Sequence, residues 1–116
     1  MRNEQQAPLI SHVYELGLLD AIAVPQTECF AAAVQFARTE GIVPAPEPTH
    51  ALAMAIRKAL EAKETGEETV ILTALCGHGH FDLAAYDAYL NGAMVDEEVT
   101  DARFAEALAT LPTVPA

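Results

Sequence analysis

Tryptophan is absent from the 116 residues, aromatics make up only 6% of them, and lysine and arginine together number six. The shortage of positive charge has the widest consequence. Against 17 Asp and Glu it leaves a formal net charge of −11 at pH 7, which repels nucleic-acid phosphates and anionic lipid surfaces. Nucleic-acid binding is thereby excluded as the main role. Long apolar runs are missing too: nothing approaches the ~20 consecutive apolar residues of a membrane span. The polar start Met1-Arg2-Asn3-Glu4-Gln5-Gln6 lacks the apolar core of a signal peptide, so the expected compartment is the cytoplasm. Two cysteines, Cys29 and Cys76, are too few for a disulfide framework and read as free thiols.

What is present is globular. Hydrophobic residues are 52% of the chain and charged residues 20%, with six glycines and seven prolines. The length fits one domain over 1–116, with 1–6 and 112–116 expected to be flexible.

Pro8 suits a first helical turn, and Leu9, Val13 and Leu16 follow at helical spacing, so 8–19 is expected to be helical. Ala21 to Val24 reads as a short strand stopped by Pro25. Thr27 can cap a second helix with Phe30, Ala33, Val34 and Ala37 on its apolar face and Gly41 past its end. Prolines 44, 46 and 48 forbid helix in the next segment and make it a stiff, ordered connector. A third helix should start near Glu47 or Pro48 and run to about Glu64, with Leu52, Ile56 and Leu60 on one face and Gly66 beyond its end.

Thr69-Val70-Ile71-Leu72-Thr73-Ala74-Leu75 is nearly continuous in apolar character and β-branched at its start, which fits a strand buried on both faces of a parallel sheet. Cys76-Gly77-His78-Gly79-His80 follows as a tight loop. Asp82 can cap a fourth helix carrying Leu83, Tyr86, Tyr89 and Leu90, ended by Asn91-Gly92. Thr100 can cap a fifth, with Phe104, Leu108 and Leu111 before Pro112. The expected class is α/β: a small parallel sheet of two or three strands flanked by four to five helices. So small a sheet has edges and faces that must be covered, by self-association or by a complementary segment.

The loop 76–82 is the first place to look for chemistry, since ligands of open α/β sheets sit where a strand's carboxyl end meets a helix N-terminus. Gly77 and Gly79 would let the backbone approach a bound group, or simply mark a strand-to-helix turn. Cys76, His78, His80 and Asp82 are all zinc-ligand types, but their spacing matches no Cys/His zinc pattern, so no metal is expected. His78 and His80 are expected to hydrogen-bond to nearby backbone or water. Ala74 stands where a nucleophile elbow needs glycine, and the simplest expectation for Cys76 is a buried, inert thiol. Glu47, held between Pro46 and Pro48 at a helix start, is either a capping acid or, with His50 one turn on, part of a polar site. Cys29 reads as a small core hydrophobe.

Three segments together resemble one family. They are Thr39-Glu40-Gly41-Ile42-Val43-Pro44-Ala45-Pro46-Glu47, then His50-Ala51, and Leu75-Cys76-Gly77-His78-Gly79-His80-Phe81-Asp82-Leu83-Ala84-Ala85-Tyr86-Asp87. They look like the C-terminal region of tryptophan synthase β subunits of the second, β-like type, in a register that runs from about Ala7 to the last helix. The resemblance implies a fold-type II pyridoxal-phosphate enzyme joining L-serine to indole to give L-tryptophan. It implies that Glu47 lies beside the cofactor ring and aids proton movements, that Cys76 replaces a serine that hydrogen-bonds the pyridine nitrogen, and that Gly77 shapes the same pocket wall. A thiol is the weaker donor. The family's Schiff-base lysine and phosphate loop have no counterpart in these 116 residues, so covalent attachment of pyridoxal phosphate is not expected here and the chain alone is expected to be inactive. Its partner is then a complementary β-subunit segment. The alternative is a free-standing, non-enzymatic module that kept the fold and works by self-association or by binding a small anion.

Overall fold

The computed structural model describes residues 8–96 and 100–110. Among the described residues five α-helices follow one another: α1 (Pro8–Glu15), α2 (Gln26–Glu40), α3 (Thr49–Thr65), α4 (Leu83–Leu90) and α5 (Asp101–Ala109). A single 3-10 turn, Gly79–Phe81, precedes α4. The core is built on α2. One side packs Ala32 against Leu52 and Ala53 of α3, with Val24, Phe36 and Ile56 around them. The other packs Phe30 and Ala33 against Tyr86 of α4, with Val43, Tyr89 and Met94 at the margin. Phe30 meets Tyr86 edge-on, with ring centres 5.1 Å apart, and stacks on Tyr89 at 5.9 Å. Such contacts add about 0.5–1.5 kcal/mol beyond the area they bury.

Helix ends follow local chemistry in part. Gly41 and Gly66 close α2 and α3 in the left-handed conformation at φ 70° and 72°, where a side chain would be strained. Thr100 caps α5 as expected, its hydroxyl accepting from the Arg103 amide. Thr27 does not cap α2, which starts one residue earlier behind Pro25. The missing cap comes from far along the chain. The Thr27 amide donates to Asp96 Oδ1 at 3.0 Å, the Thr27 hydroxyl donates to Asp96 Oδ2, and Gln26 Nε2 donates to the Val95 carbonyl at 2.6 Å. The two Thr27 bonds hold the Asp96 carboxyl below its ordinary range, the hydroxyl contributing most. The first helix is shorter than expected, ending at Glu15 before Gly17 turns the chain at φ 69°. Leu111 and the ends 1–6 and 112–116 lie outside the described residues.

The expected α/β class is overturned: the described residues contain no strand and no sheet, only one isolated antiparallel bridge between Pro44 and His78. Neither 21–24 nor 69–75 pairs with another segment. The reason is physical. A strand exists only with a neighbour to take its backbone donors and acceptors, and no second apolar extended segment among the described residues lies alongside either one. Val70 and Leu72, expected in the core, are 95% and 96% exposed. No helix of the described residues is long and apolar enough to cross a membrane.

Candidate functional site

The proline connector and the 76–80 loop come together into one rigid unit. The Gly79 amide donates to the Val43 carbonyl at 2.8 Å, and the Ala45 amide donates to the Gly77 carbonyl at 3.3 Å, on either side of the Pro44–His78 bridge. Beneath them the Tyr86 hydroxyl, reaching up from α4, donates to the Pro44 carbonyl at 2.5 Å. Proline gives Pro44 no amide, so its carbonyl is its whole backbone polarity, and Tyr86 satisfies it in the buried interior. Burial, and then the charge of Asp82, push the Tyr86 phenol up to about 12.

Two glycines make this approach possible. A Cβ on Gly79 would stand 2.5 Å from the Pro44 carbonyl oxygen, 2.8 Å from Val43 Cγ1 and 3.0 Å from Tyr86 Cε2. Gly79 is therefore glycine because the connector lies against it, and the room expected there for a ligand is filled by protein. Gly77 is constrained differently: its φ is +101°, and an added Cβ would sit 3.1 Å from Ala45 Cβ. It stays exposed on its outer side.

Glu47 follows directly. Pro46 and Pro48 are buried while Glu47 between them is exposed, so the turn 46–48 pushes the carboxylate outward at the start of α3. That turn is locked from inside: Thr49, fully buried, donates its hydroxyl to the Pro46 carbonyl at 2.5 Å. His50 folds back, its Nδ1 lying 3.1 Å from the Glu47 carbonyl oxygen. The Pro44–His78 bridge and the Ala45–Gly77 bond tie the segment that leads into the Glu47 turn to the segment that holds Cys76 and Gly77, and all three of these residues are exposed. The expectation of a buried Cys76 is corrected, because the thiol is exposed where the chain leaves the bridge. Cys29 is the buried one, its thiol pushed up chiefly by burial.

The histidines behave as loop residues. The His80 amide donates to His78 Nδ1 at 3.3 Å, capping the 3-10 turn, and the His78 ring meets those of His80 and Phe81 at a tilt, with centres 4.6 and 5.5 Å away. No group of three metal-ligating side chains converges among the described residues. Asp82 occupies the cap position of α4 without a side-chain bond to it. Two surface clefts lie elsewhere and touch none of Glu47, Cys76 and Gly77. One, of about 350 Å³, is walled by α2, α3, Ile71 and Thr73, and the other lies among Lys58, Glu61 and Thr69. Sequence reasoning missed Thr49 and Tyr86 as the polar residues that fix this arrangement. Only the Gly-x-Gly spacing signalled it, and that signal pointed to a ligand.

No family model matches the chain. Among curated proteins it is 60% identical over 96 residues to "Tryptophan synthase beta chain 2" of Aquifex aeolicus, a match covering 83% of this chain and 22% of that one. It is 56% identical over 94 residues to the protein of that name from Methanosarcina mazei, covering 81% and 21%. To "Tryptophan synthase beta chain" of Pyrococcus horikoshii it is 52% identical over 98 residues, covering 84% and 21%. The chain thus resembles tryptophan synthase β chains over most of its own length while spanning about a fifth of theirs, consistent with a C-terminal fragment.

Proposed function

We propose that this chain, similar to a fifth of tryptophan synthase β chains, supplies one wall of a pyridoxal-phosphate site and completes that site in the cytoplasm with a complementary β-subunit segment. The observation that supports the reading is the bridge between connector and loop, which joins the segment leading to the exposed Glu47 to the one holding the exposed Cys76 and Gly77. Their chemistry fits the cofactor. Cys76 offers an exposed sulfur able to meet a ring nitrogen as a weak donor, and Glu47 an exposed carboxylate on a rigid turn able to take and return a proton. The cofactor, when bound, supplies the electron sink for joining L-serine to indole. The residues present do not fit its covalent attachment. Lys58 and Lys63 lie on α3, and Lys58 is paired with Glu61 at 2.7 Å.

The test is complementation. The remaining four fifths of the Aquifex aeolicus protein, mixed with this chain, pyridoxal phosphate, serine and indole, should form tryptophan when neither part does so alone. Cys76→Ser should keep or raise that activity and Glu47→Gln should lower it. Tryptophan made by this chain unaided, or no dependence on Glu47, would contradict the reading. A second reading, a self-associating module without enzymatic activity, is favoured by one observation: Val70 and Leu72 are almost fully exposed.

A further inference from the structure

The turn that carries Glu47 is held at two carbonyls. The Glu47 carbonyl accepts the His50 amide at 3.4 Å and lies 3.1 Å from His50 Nδ1. The Pro46 carbonyl accepts the Thr49 amide at 3.3 Å and the Thr49 hydroxyl at 2.5 Å. The rings of Pro46 and Pro48 fix φ on either side of Glu47. What they leave free is the ψ of Pro46, which turns the peptide plane between Pro46 and Glu47. That rotation carries the Pro46 carbonyl with it, and the carbonyl is the group Thr49 holds.

Thr49 differs from the other threonines that bond back three residues. Thr39, Thr65 and Thr110 do so exposed, near the carboxyl ends of their helices. Thr49 does so at the first residue of α3, to a carbonyl outside the helix, and alone among the serines and threonines of the described residues it is buried. No side chain caps α3, so the hydroxyl serves the turn and not the helix start. Cys29, also buried, lies beside it and donates its own thiol to the Val24 carbonyl at 3.9 Å. Shut off from solvent there, a lost hydroxyl bond has no ready substitute.

We propose that Thr49 is the positioning residue of this site: its hydroxyl, by fixing the Pro46 carbonyl, sets the direction in which the Glu47 carboxylate leaves the turn. The inference rests on the cofactor-wall reading and adds to it the residue that aims its proton-transferring group. Thr49 acts through the backbone alone.

The two halves of the threonine side chain separate positioning from packing. Thr49→Val keeps the shape and removes the hydroxyl, whereas Thr49→Ser keeps the hydroxyl and removes a methyl. Positioning makes valine the worse replacement, and packing makes serine the worse. In the complementation mixture, Thr49→Val should slow tryptophan formation by about tenfold or more and Thr49→Ser by less than about threefold. In a Glu47→Gln background Thr49→Val should add no further loss, because no carboxylate is left to aim. The isolated full chain, without cofactor, should show the same order. The heteronuclear NOE of the Glu47 amide should fall in Thr49→Val and hold in Thr49→Ser, with the amides of Phe30 and Tyr86 unchanged in both. A Glu47 amide just as rigid in Thr49→Val, or serine the worse replacement, would overturn the positioning. Activity lost with Glu47→Gln and kept with Thr49→Val would overturn it too, and would leave the cofactor-wall reading standing. Indifference to Glu47→Gln would instead contradict that reading, and the Glu47 amide alone would then decide whether Thr49 sets the turn.

Discussion

The connector Ile42 to Pro46 and the run Thr69 to Leu75 are similarly apolar and have opposite fates. Pro44, Ala45 and Pro46 are buried, while every residue of 69–75 is exposed. Hydrophobicity does not separate them. What separates them is whether a fitting surface lies within the described chain: the connector finds Gly77, Gly79 and Tyr86, and the run finds only the shallow cleft between α2 and α3. The same division runs through the helices. The helices α2, α3 and α4 share two packed clusters, whereas α1 and α5 bury no residue at all and leave Leu9, Tyr14, Phe104 and Leu108 half or more exposed.

Substitutions can break this comparison. Gly79→Ala should have the largest effect, about 3 kcal/mol or more, because its Cβ would collide with backbone as well as side chains. Urea unfolding followed by circular dichroism would measure it, and a loss under about 1 kcal/mol would mean the bridge is not a fixed contact. Tyr86→Phe should cost about 1–2 kcal/mol, as it leaves the buried Pro44 carbonyl without its donor. The pH course sharpens that prediction. The Tyr86 phenol is raised from 10.0 to about 12, so its contribution is complete below pH 10 and lost as pH rises toward 12. Tyr86→Phe should therefore flatten the alkaline loss of stability.

Asp96→Ala should have a smaller effect and one of opposite pH sense. A lowered carboxyl stabilises above its unfolded value and ceases to as pH falls through its folded one, so the variant and the parent should converge in acid, below about pH 4. Thermal melts across the acid range would show the convergence. Leu9→Ala, on the unpacked α1, should change stability by less than about 0.5 kcal/mol. A core-sized loss there would erase the distinction between the two regions.

Much of the helical layout was legible in the sequence. Gly41 and Gly66 marked two helix ends, Thr100 a beginning, and the prolines a connector that is indeed ordered and mostly buried. The sheet was not, because apolar and β-branched character states what a segment would do beside a partner and says nothing of whether the partner lies in these residues. The site was half legible. Gly-x-Gly correctly marked a close approach, but a glycine spacing cannot distinguish a ligand from the carbonyl of Pro44. Asp96 capping a helix that starts 70 residues earlier was beyond local pattern altogether, since caps are read from neighbouring residues.

The central claim is that connector and loop together present one wall of a cofactor site. It is tested most directly by titrating pyridoxal phosphate into isotopically labelled chain and following the backbone amides. Shifts clustered at Glu47, His50 and residues 76–80 are the expected result. An unchanged spectrum at millimolar cofactor, or shifts confined to the cleft between α2 and α3, would contradict it.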